Sequence, residues 1–118
     1  MNTLILDAAL GTQLAVNGEE LPDWKKSLWS AHALINKPEA ILKIHLDNIE
    51  AGADVITTSN YYATPIILAK DSSKHDYKEL VKRALDLVQE AIKISGKDCL
   101  IAGSFPPINV SFRPDLTG

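Results

Sequence analysis

Cysteine is almost missing from this chain: Cys99 is the single one among 118 residues. That excludes an internal disulfide and falls far short of a cysteine zinc site. A reducing cytoplasm is the expected compartment. Runs of Lys or Arg are also missing, and the formal net charge is -3. Without a basic stripe, nucleic acid is not an expected partner. No apolar stretch approaches the ~20 residues that a membrane span needs. The N-terminal MNTLILDAAL has no basic segment, and Asp7 interrupts its apolar run, so no secretory leader is predicted. Neither GxGxxG nor GxxxxGK follows the first apolar stretch, which argues against a nucleotide-binding doubly wound sheet.

What is present is a globular composition, 46% hydrophobic and 23% charged. Residues 3 to 7 (TLILD) read as a short buried strand that brings Asp7 to its C-terminal end. Residues 8 to 18 follow as a turn and a short helical piece that Gly18 stops. Residues 19 to 37 read as an irregular loop holding Trp24 and Trp29. Pro38 opens a helix that runs to Glu50, with Glu39 in its first turn and Gly52 after its end. Ile41, Leu42, Ile44, His45 and Ile49 fall on one broad face, and His45 reads as a core-edge or surface residue. A second strand is predicted over 54–58, uniformly apolar as a strand covered by helices would be.

The polar segment TSNYYAT, residues 58 to 64, follows that strand with a dense set of donors and acceptors. Within it, Tyr61 is expected to pack in the core. Residues 66 to 69 suggest one helical turn, and Ser73 with Asp76 resembles a capping box. A long helix is predicted over 75–94, with Tyr77, Leu80, Val81, Ala84, Leu85, Val88, Ala91 and Ile92 as its buried stripe. Gly96 ends it. A third strand, 99–102, closes on Gly103 and Ser104, and the proline-rich tail reads as a long loop.

Alternating strands and helices predict an α/β chain: the N-terminal fragment of a (β/α)8 TIM barrel, incomplete, with about three strands. A whole barrel takes ~250 residues. On such a barrel, chemistry belongs to the C-terminal ends of the strands, where Asp7, Thr58, Asn60 and Ser104 are expected.

Three segments resemble the homocysteine S-methyltransferase family: LDAALGTQL at 6–14, LWSAHALINKPEAILKIHLDNIEAGADVITTSNYYAT at 28–64 and AGSFPPINVSFRPDL at 102–116. The SFRPDL piece resembles the branch that uses S-methylmethionine or S-adenosylmethionine. Asp7-Ala8-Ala9 stands where the family usually has Asp-Gly-Gly or Asp-Gly-Ala. The resemblance implies that residues 1–118 are the N-terminal part of a single homocysteine-binding barrel domain. It implies methyl transfer from a sulfonium donor to homocysteine, giving methionine. It also implies a zinc ion held by three cysteines, none of them within this chain, so the chain alone is expected to hold no metal and to be inactive. By the same resemblance, Asp7 would meet the substrate ammonium, and Thr58 and Asn60 its amino-acid groups. Tyr62 would face the sulfur and the donor, Trp29 would close the pocket, and Ser104 is a further candidate. Two other readings stay open: a different barrel enzyme such as an aldolase or lyase, and a catalytically dead truncated family member that acts through a partner.

Overall fold

The structure, a computed structural model, describes residues 3–19, 31–61, 63–70 and 74–105. The elements run α1 (Leu10–Val16), α2 (Ala31–Asn36), α3 (Pro38–Glu50), β1 (Val55–Thr57), α4 (Pro65–Lys70), α5 (Tyr77–Ser95) and β2 (Leu100–Ala102). Helices hold most of the described residues. The strands β1 and β2 pair in parallel, with Val55 opposite Leu100, Ile56 opposite Ile101 and Thr57 opposite Ala102.

This corrects the expected barrel fragment of about three strands. The described residues form an open two-stranded sheet under a helical layer, not a barrel wall. The predicted first strand is reduced to an isolated bridge between Leu6 and Val55. Its start follows a parallel ladder: Val55 N donates to Ile5 O at 3.1 Å, and Asp7 N donates to Val55 O at 3.0 Å. In such a ladder the next donor, Thr57 N–H, would go to the Asp7 carbonyl. It goes instead to the Asp7 carboxylate, Oδ2, at 3.0 Å. The side chain intercepts the donor, and the ladder stops. Leu4 and Leu6 also remain exposed, so no apolar cover holds the segment flat.

The helices form for local reasons. Pro38 is pre-set for the first turn of α3, where its missing N–H has no partner to lose. In α5 the Asp76 side chain accepts from Lys78 N at 3.3 Å, so Asp76 is the cap. Ser73, the other half of the expected capping box, lies outside the described residues. Gly96 ends α5 at φ 69°, a left-handed angle that glycine takes without strain.

The helix pair α3 and α5 makes the core. Leu14, Leu34, Ile41, Ile44, Leu80 and Ala84 join α1, α2, α3 and α5. Ile49, Ile56, Val88 and Ala91 tie α3 and α5 to β1. Each fully buried Leu or Ile contributes about 1.5–3 kcal/mol. The buried stripe of α5 is Leu80, Ala84, Leu87, Val88 and Ala91. Leu87 replaces Tyr77, Val81 and Leu85, which are exposed at their positions. Arg83 locks α5 to α2, donating to the carbonyls of Leu34 and Ile35 at 3.2 and 3.5 Å. No helix among the described residues is long and apolar enough to cross a membrane.

Candidate functional site

The C-terminal ends of β1 and β2 meet the turn that enters α1. A cleft of about 300 Å³ opens there, walled by Asp7 to Gly11 on one side and by Thr57, Thr58, Ser59, Tyr61 and Ser104 on the other. Asp7 is half-buried at its edge. Its Oδ2 accepts from Thr57 N, and its Oδ1 accepts from Thr57 Oγ1 at 2.8 Å. A carboxylate has about four acceptor sites, so two remain for a cation.

The second wall is a closed circuit. Thr58 Oγ1 donates to Asn60 Oδ1 at 2.6 Å and accepts from Ser104 N at 2.9 Å. Asn60 Nδ2 donates to Ser104 O at 3.2 Å. Thr58 N donates to Ala102 O at 2.9 Å, so the circuit stitches the strand ends together. The predicted residues Asp7, Thr58, Asn60 and Ser104 therefore converge on one region, with Asn60 buried as a brace behind the cleft wall. Trp24, Trp29 and Tyr62 lie outside the described residues.

Tyr61 departs from expectation. It is 39% exposed and lines the cleft instead of packing in the core. Thr57 was not singled out from the sequence, yet it is the partner of Asp7. A signal existed: residue 57 falls where the strand meets its polar exit, in register with the end of the first segment. His45 also departs from expectation, being 1% exposed instead of at a core edge or surface. Burial takes its pKa from 6.5 down to about 4, while the charge of Asp7 pulls the other way.

The described residues do not fit the zinc site implied above. Cys99 Sγ donates to Ala53 O at 3.6 Å, just before β2 begins and away from the strand ends that line the cleft. Among the described residues no three His, Cys, Asp or Glu gather as metal ligands. Among the described residues that line the cleft, Asp7 is the only carboxylate.

A carboxylate and a hydroxyl-amide circuit at parallel strand ends suit an amino-acid ligand. The homocysteine S-methyltransferase family model matches residues 4–117. The chain belongs to this family. It is 40% identical over 91 residues to homocysteine S-methyltransferase 4 of Zea mays, covering 76% of this chain and 26% of that protein. With homocysteine S-methyltransferase of Escherichia coli it shares 35% identity over 111 residues, covering 88% of this chain and 35% of that protein. Among solved structures, the metallated form of the homocysteine methyltransferase MmuM from Escherichia coli superposes with a TM-score of 0.78 at 34% identity. That match covers 92% of this chain and 39% of the other. The chain thus spans about a quarter to a third of the length of the curated relatives it matches.

Proposed function

We propose that this chain forms the amino-acid-binding part of a homocysteine S-methyltransferase. The observation that carries the reading is the half-buried Asp7 carboxylate, anchored by Thr57 and facing a cleft at the strand ends. Asp7 pairs with the substrate ammonium, a charge-assisted contact that fixes the direction of the amino acid. The Thr58–Asn60–Ser104 circuit holds the opposite wall rigid, and Tyr61 covers the bound chain. Trp29 and Tyr62 complete the pocket in this reading, on the strength of the sequence resemblance.

In the reaction proposed, the homocysteine sulfur attacks the methyl carbon of a sulfonium donor, S-methylmethionine or S-adenosylmethionine. The new S–CH3 bond forms as the donor's S–CH3 bond breaks. The electron pair of the broken bond stays on the donor, which becomes a neutral thioether, and the thiol proton leaves homocysteine. The chain's own part is to bind and orient the substrate. Because the described residues do not fit a metal site, no step is assigned to a metal here, and the chain by itself is proposed to transfer no methyl group. The reducing cytoplasm suggested by the single cysteine is the proposed compartment.

The test is a titration of the isotope-labelled 118-residue chain with L-homocysteine, read by amide chemical shifts. Saturable shifts confined to Asp7–Gly11, Thr57–Tyr61 and Ser104 are expected. Absence of shifts there, or equal shifts with an amine-free analogue of the same length, rejects the reading.

A further inference from the structure

Among the described residues, three buried side-chain atoms have no hydrogen-bond partner: Nδ1 and Nε2 of His45, and Oγ of Ser59. Ser59 belongs to the cleft wall. His45 lies on the buried face of α3, the helix that packs against both α1 and β1. Those two elements hold Asp7 between them, since Asp7 leads into α1 and is bonded to Thr57 of β1. Ser59 thus lines the cleft, while His45 lies on the helix face packed behind it, near enough for the charge of Asp7 to act on its imidazole.

A buried polar atom without a partner is destabilising, and native chains hold few of them. Leucine or phenylalanine at position 45 would fill an apolar helix face at no such cost. A histidine there is explained by work at the site. A neutral imidazole offers one N–H donor and one acceptor. Asp7 has acceptor sites left after its two bonds to Thr57.

We propose that His45 is a positioning residue for Asp7, joined to it through one buried water, and that it aims the carboxylate at the substrate ammonium. Buried polar atoms without a protein partner are ordinarily satisfied in this way. Burial keeps the imidazole uncharged at neutral pH, so it orients the carboxylate without competing with the substrate's positive charge. This inference rests on the homocysteine reading above and adds to it a residue outside the cleft lining.

The experiment measures homocysteine Kd and thermal unfolding for the unsubstituted chain, His45→Phe, His45→Gln, Asp7→Asn and the double variant His45→Phe with Asp7→Asn. His45→Phe is expected to weaken homocysteine binding about tenfold, the size of a lost hydrogen bond to a charged group, while its Tm holds or rises. His45→Gln, which restores a donor and an acceptor, is expected to recover part of the affinity. In the Asp7→Asn background His45→Phe is expected to change Kd little, because the two act together. Unchanged Kd in His45→Phe overturns the inference while leaving the homocysteine reading intact. So does an equal loss with and without Asp7. If the unsubstituted chain binds no homocysteine, both fall.

Discussion

Asp7 holds Thr57 twice, by the backbone N–H at 3.0 Å and by the hydroxyl at 2.8 Å. One side chain thereby ends a strand pairing and fixes its own orientation at the cleft. Both bonds go to a residue fifty positions along the chain, so a distant strand holds the carboxylate.

Asp7→Asn therefore acts on two properties. The amide offers one acceptor oxygen where two served Thr57, so the Thr57 hydroxyl has to turn from donor to acceptor to keep its bond. Stability is expected to fall by about 1–3 kcal/mol. Homocysteine affinity is expected to fall roughly tenfold to a hundredfold, from the lost charge. Thr57→Val removes only the hydroxyl bond and is expected to lower stability by about 1 kcal/mol and to weaken affinity less than Asp7→Asn does, because the charge stays. Denaturant midpoints and homocysteine titrations on both variants separate the effects. Normal binding by Asp7→Asn would remove Asp7 from the site.

His45 makes stability depend on pH. Its folded pKa, about 4, lies below the 6.5 of the unfolded chain. Between these values the unfolded state binds the extra proton, so stability rises with pH there. The contribution is fully present above about 6.5 and is lost as pH falls toward 4, up to ~3 kcal/mol. Urea midpoints from pH 4 to 7.5 are expected to converge less steeply in His45→Phe than in the unsubstituted chain. Parallel profiles would show that His45 carries no such linkage.

Thr58 is the centre of the circuit between the strand ends. Thr58→Val strands the Ser104 N–H and removes the donor to Asn60 Oδ1. A loss of about 1–3 kcal/mol is expected, with Thr58→Ser close to the unsubstituted chain. Hydrogen exchange at the Ser104 amide is the direct readout, and unchanged protection in Thr58→Val would contradict the circuit.

Cys99 lies apart from the cleft, with its thiol on Ala53 O. Cys99→Ala is expected to leave homocysteine affinity unchanged. The purified 118-residue chain is expected to retain far less than one zinc per molecule after dialysis against a mild chelator. Stoichiometric zinc lost on Cys99→Ala would place a metal ligand where none is assigned.

Much of the local structure was legible in the sequence. Pro38 and Gly52 bracket α3, and the apolar run after Asp54 yields β1, because proline, glycine and apolar period act over a few residues. The polar cluster at 58–60 marked the strand exit where the cleft opens, for the same reason. The face of α5 was harder. Tyr77, Val81 and Leu85 share the apolar period with Leu80 and Ala84, but only contact with α2 and α3 decides which part of a broad stripe is covered.

The sequence by itself determined the family motifs, the helix ends and the residue types that gather at the strand exits. Tertiary structure alone decided that Asp7 would capture the Thr57 amide and cut the first strand to a bridge. It also decided that Tyr61 would turn to the cleft and His45 to the interior. Each of these outcomes is a competition for a donor or for cover between segments far apart in the chain. Periodicity reports which residues are apolar, but it carries no record of which distant partner reaches them first.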